Sequence, residues 1–145
     1  MKTENYDNKM YSDISFPNKT ILEVTFLNVT DFYTISFENN TYTIIGGDVD
    51  IKTNLIGISE NNKVYYITTD DKTLCYISVN IKTFIKELLL FDDYVNQNNL
   101  PENPDDLQLT EFADKFWSQL LELDKTVCKS EFWSDVCEEM EYGII

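Results

Sequence analysis

The chain has 145 residues, 43% hydrophobic and 14% aromatic, enough to pack one domain and too apolar for wholesale disorder. It carries 26 acidic residues against 11 lysines, with no arginine and no histidine, for a net charge of -15. These counts argue against Ser-His and Cys-His nucleophile pairs, imidazole general bases, histidine zinc sites, arginine phosphate clamps and direct binding to nucleic acid or anionic membrane.

The opening MKTENYDNKMYSD is polar and has no apolar run, so no secretory signal is expected, and residues 1–20 are expected to form a flexible lead-in. Ile21 to Leu27 alternates Leu22, Val24 and Phe26 with Glu23 and Thr25, the period of a strand. Asp31 to Glu38 repeats the pattern with Tyr33, Ile35 and Phe37. Asn39-Asn40 reads as a hairpin turn into a strand over Thr41 to Ile45, which Gly46-Gly47 should end. Leu55 to Ser59, Asn61-Asn62 and Lys63 to Thr68 form a second hairpin on the same logic, and Thr73 to Val79 is a further strand.

At Ile81 the period becomes helical, through Phe84, Ile85, Leu88, Leu89 and Phe91, with Ser78 or Asn80 as N-cap and an end near Asp92-Asp93-Tyr94. Asn96 to Asp106, with two prolines, is a polar loop. Thr110 can cap a second helix with the face Phe112, Phe116, Leu120 and Leu123. Ser130 can cap a third, with Phe132, Val136 and Met140 beside Trp133 and Gly143 at its C-terminus. Strands first and helices after predict an α+β fold: a single domain in which a mainly antiparallel sheet packs against about three helices. Phe84, Leu88, Phe116, Leu120, Phe132 and Val136 are the predicted contacts.

Charge is divided unevenly. Residues 1–91 carry 12 acids and 8 lysines, whereas residues 92–145 carry 14 acids and 3 lysines. The candidate partner-binding residues come from that second half: Asp105, Asp106, Glu111, Asp114, Glu138, Glu139 and Glu141, with Tyr94 and Tyr142 as exposed aromatic anchors. Catalytic, cofactor and metal sites are expected to be absent. Asp48 and Asp50 after Gly46-Gly47 fail the EF-hand spacing and read as a solvated turn. Asp70-Asp71, Asp92-Asp93 and Asp105-Asp106 are adjacent pairs, which do not face one another as a carboxylate couple must. Cys75, Cys128 and Cys137 read as reduced cytosolic thiols, and Trp117 and Trp133 as core or interface anchors.

From about residue 41 onward the order of features resembles the SUKH immunity superfamily, especially its fourth branch of bacterial immunity proteins. The stretches that carry the resemblance are Tyr42 to Gly46, Ile56 to Ser59, Lys63 to Ile67, and Tyr76 to Asn80 leading into Ile81 to Phe84. The closing stretch is Phe132-Trp133 with the acidic run Glu138 to Tyr142 and then Gly143, Ile144 and Ile145. Two departures stand out: Ser78 aligns with the family's usual Asn, and a second glycine, Gly47, precedes the acidic residue. The resemblance implies a non-catalytic cytoplasmic protein, needing no cofactor, that neutralises a cognate toxin of a polymorphic-toxin system. Many such toxins are nucleases or deaminases with basic clefts, which an acidic helical face would complement. The competing expectations are a cytosolic adaptor of the same fold and a small carboxylate- or thiol-dependent enzyme.

Overall fold

A computed structural model describes residues 11–48, 51–97 and 100–144. Six strands come first: β1 (Thr25–Phe26), β2 (Tyr33–Phe37), β3 (Asn40–Gly47), β4 (Asn54–Ser59), β5 (Val64–Thr68) and β6 (Thr73–Ser78). Three helices follow, α1 (Ile81–Gln97), α2 (Asp106–Leu123) and α3 (Glu131–Glu141), with a 3-10 turn at Lys125–Lys129 between the last two. The strands form one antiparallel sheet in the order β1-β3-β4-β5-β6, with β2 also pairing β3. This is a single-domain α+β fold. Among the described residues no helix is long and apolar enough to cross a membrane.

The sheet hides both faces. Ile45, Ile56, Ile58, Val64 and Ile77 face the helices, while Tyr42, Ile44, Leu55 and Ile67 form a smaller cluster on the other side, covered by Tyr33, Ile35, Phe37 and Tyr65. Double-sided burial explains why β3 and β4 read as apolar runs. β3 takes in Gly46 and Gly47 and ends at Gly47, as expected. A Cβ on Gly46 would lie 2.3 Å from the Thr25 carbonyl oxygen, and one on Gly47 2.2 Å from that of Asn54. Glycine therefore lets both neighbours close on the end of β3.

The strand expected over Ile21 to Leu27 is mostly a turn. Ile21 and Val24 exchange backbone hydrogen bonds of 3.2 and 2.8 Å, with Leu22 and Glu23 both at positive φ between them. Only Thr25–Phe26 pairs with β3. The first hairpin likewise turns on Glu38 and Asn39, both at positive φ, one residue earlier than expected. Of the expected lead-in, residues 1–10 lie outside the described residues, and the rest is integrated. Tyr11 is buried, and its ring and that of Phe16 stack edge-on against Phe32. Lys19 pairs with Asp92, and Lys82 with Asp13 at 2.7 Å.

Helix α1 starts on Asn80, whose Oδ1 accepts from the Thr83 amide at 2.8 Å, and runs past the expected end at Tyr94 to Gln97. Helix α2 starts five residues before the predicted cap Thr110 lies in sequence. Asp105 accepts from the Gln108 amide at 2.8 Å while Gln108 Oε1 accepts from the Asp105 amide at 2.9 Å, a capping box. Ser130 caps α3 as expected, and Gly143 at φ 71° closes it, its amide donating to the Met140 carbonyl and the Ile144 amide to that of Glu139.

The helical core centres on Trp133, which is fully buried. Its ring sits 6.4 Å from Phe84, 5.9 Å from Phe116 and 5.0 Å from Phe132. Phe132, predicted to be buried, is only half-buried, because turning Trp133 inward leaves Phe132 against Tyr66 of β5 at the margin of the helical core. Similarly, Leu89 and Leu123 are exposed, and Ala113 with Phe116 and Leu120 makes the buried face of α2.

A buried polar network, unforeseen in sequence, lies beneath Trp133. Trp133 Nε1 donates to Glu87 Oε1 at 3.1 Å, and Glu87 is wholly inaccessible to solvent. Asp124 accepts from the Val79 amide at 3.1 Å, the Thr126 amide at 2.8 Å and the Thr126 hydroxyl at 2.6 Å. The Ser78 hydroxyl donates to Asp124 at 3.4 Å, and Tyr76 OH meets Thr126 Oγ1. Ser78 favours the Glu87 carboxylate electrostatically, but its hydroxyl points to Asp124, and Glu87 Oε2 has no hydrogen-bond partner among the described residues. Burial, opposed by Ser78 and reinforced by the Asp124 charge, pushes the Glu87 carboxyl up to about 8.

Two stability predictions follow from this core. An acid whose pKa is raised in the folded state gives up its proton at lower pH in the unfolded chain, so stability declines as pH rises from about 4.5 to about 8 and then levels off. Glu87→Gln keeps an acceptor for Trp133 and removes that titration. In urea unfolding across pH 5–8.5 it should gain on the parent by a few kcal/mol at the alkaline end, at about 1.4 kcal/mol per pKa unit; parallel curves would refute the assignment. Phe116→Ala should destabilise by about 3–5 kcal/mol and Phe132→Ala by clearly less, since only the first is fully enclosed.

Candidate functional site

The nine predicted partner residues do not share one surface. Asp105 and Asp106 stand at the start of α2, where Asp105 is the cap and Asp106 lies in the first turn, next to the positive end of the helix dipole. Both stay exposed, but their first role is to the helix. Tyr94 and Glu111 line a groove of about 470 Å³ between α1 and α2. Tyr94 is not the exposed anchor expected of it. Its ring packs 5.4 Å from Phe112 and 5.2 Å from Phe116, with its hydroxyl buried beside Gln119.

Asp114, Glu138, Glu141 and Tyr142 do converge. They line a groove of about 360 Å³ between α2 and α3, with Trp117 and Cys137. Helical spacing explains the grouping, since Ser134, Cys137, Glu138 and Glu141 fall at i, i+3, i+4 and i+7 on one side of α3. Tyr142, 69% exposed, stands at one end of the groove, and half-buried Trp117 forms part of its wall. Trp117 was absent from the predicted partner set, although its position three residues after Asp114 puts the two on one face of α2. Glu139 points the other way, into a separate groove with Glu23 and Asp135. Among the described residues the ion pairs are Lys19–Asp92 and Lys82–Asp13, so no lysine neutralises the groove between α2 and α3.

Two of the three thiols, Cys75 and Cys137, sit in surroundings hostile to ionisation. Burial, followed by the charges of Glu141 and Asp114, pushes the Cys137 thiol up to about 12. Burial likewise raises that of Cys75. At neutral pH neither environment favours the thiolate that nucleophilic attack requires. Asp48 is not a solvated turn residue: it is half-buried, with Oδ2 accepting from Asn54 Nδ2 at 2.8 Å. Its predicted companion Asp50 lies outside the described residues. Among the described residues no three His, Cys, Asp or Glu side chains gather as a metal site. With a thiol reagent at pH 8, exposed Cys128 should react first and Cys137 only on unfolding, read by mass spectrometry of intact and digested protein. Rapid modification of Cys137 in the folded protein would contradict the environment described for it.

No protein-family model, curated protein or solved structure matches this chain.

Proposed function

We propose that the protein is a cytoplasmic immunity protein of the SUKH type that acts by binding and neutralising a basic toxin, with a nuclease or nucleobase deaminase as the kind of target. The observation that carries this reading is the groove between α2 and α3. It presents Asp114, Glu138 and Glu141 with Trp117 and Tyr142, and no lysine lines it. Clustered like charges next to exposed Tyr142 and half-buried Trp117 suit a cationic protein surface, since the acids steer the encounter and the rings supply short-range contact. A binding role also fits Cys75 and Cys137, whose partly buried thiols are held in the protonated form.

Co-expression with the adjacent reading frame, scored for rescue of growth, tests the assignment; persistent toxicity would refute it. With the purified pair, association at low salt should approach ~10⁸ M⁻¹s⁻¹ and slow steeply as salt rises. The triple variant Asp114→Asn, Glu138→Gln, Glu141→Gln should flatten that salt dependence while changing dissociation less. An unaltered salt slope would remove this groove from the interface and leave the growth assay to decide the function.

A further inference from the structure

A second groove, of about 440 Å³, opens on the opposite side of α3, between the Ile21–Val24 turn, the end of β3 and β5. Its aromatic lining is Tyr66 and Phe132, whose rings lie 6.2 Å apart and are inclined by only 32°, so they form a nearly continuous surface. Around them stand three exposed carboxylates from two separate parts of the chain: Glu23 on the turn, and Asp135 and Glu139 one helical turn apart on α3. Asp48, which follows Gly47 of the groove wall but does not itself line the groove, is half-buried and acts on Tyr66 through its charge.

We propose that this groove seats a lysine or arginine side chain projecting from a protein partner, held over the Tyr66 and Phe132 rings and within reach of the Glu23, Asp135 and Glu139 carboxylates. A cation over an aromatic face gains from the negative quadrupole of the ring, and gains more where carboxylates surround it. No basic residue lines the groove, and no ion pair among the described residues engages its acids. The local potential acts on the aromatic lining itself. The Tyr66 phenol is pushed above its ordinary range by burial first and then by the charges of Asp48 and Glu23. An anionic or neutral occupant would meet that same repulsion or leave the carboxylates unmatched. The proposal rests on the functional reading above only in taking a protein as the source of the cation.

The test uses the full chain and a defined probe, acetyl-trilysine amide, followed by aromatic carbon–proton NMR at low salt. The Tyr66 and Phe132 ring signals should shift and saturate. The variant Asp135→Asn, Glu139→Gln should weaken the probe threefold or more, and Asp114→Asn, Glu138→Gln in the neighbouring groove should weaken it less than threefold. These acids are all exposed on formed helices, so the variants should fold, and their unchanged circular dichroism is the check. Unmoved Tyr66 and Phe132 rings, or equal weakening by both variants, would overturn the proposal. So would spermidine, of the same charge, binding as tightly, because that would mark a small-molecule cation site. Growth rescue by co-expression does not enter this measurement, so failure of one reading is distinguishable from failure of the other.

Discussion

The hydrogen bond from Trp133 to Glu87 joins the last helix to the first at a point closed to water, and the rest of the helical layer is arranged around it. A buried indole N–H needs an acceptor. Glu87 supplies it and is itself buried in the process, with an oxygen left unpartnered. Two carboxyl groups in one enclosed network do not both ionise cheaply. Asp124 accepts from two amides and the Thr126 hydroxyl, while Glu87 has the Trp133 N–H donor and the Asp124 charge nearby. Burial, reinforced by that charge, favours the protonated form of Glu87. A network of this kind is a weak source of net stability, but removing one member is costly because it strands the others.

That network also fixes which side of α3 faces which groove. With Trp133, Val136 and Met140 turned inward, α3 has no freedom to rotate, and its acids are divided between two sides. Glu138 and Glu141 face α2, while Asp135 and Glu139 face the sheet. The separation of two acidic grooves is therefore a consequence of core packing rather than of the charges themselves.

Much of the fold was legible because its signals are local. Alternation in β2, the Asn61-Asn62 turn between β4 and β5, the helical spacing from Ile81, and the caps Ser130 and Gly143 need no tertiary information to be read. The misreadings share a cause. Leu22 to Phe26 alternates apolar and polar residues, yet Leu22 and Glu23 adopt the left-handed conformation that side chains resist, an outcome set by how Ile21 and Val24 fit the core. Asp105 looked like loop because two prolines precede it, although its capping box with Gln108 was available in sequence. Phe132 and Trp133 occupy adjacent positions on an apolar helix face, and only the buried acceptor on α1 decides which turns inward. The candidate site was legible in composition but not in partition: net charge located the acids to the helical half, whereas their grouping depended on helix rotation.

The placement of the acids carries its own energetic consequence. Asp105, Asp106 and Glu131 sit at helix starts, where the dipole favours them, but Glu138, Glu139 and Glu141 crowd the last turn of α3, where it does not. Neither α1, α2 nor α3 has a basic residue in its last turn to offset this. A face that repels itself and opposes its own helix dipole is destabilising in isolation and is relieved by any cation that binds it. By mass action, such a ligand stabilises the folded chain as it binds. The acids that make α3 unfavourable alone are those that would make it a strong attractor for a basic surface.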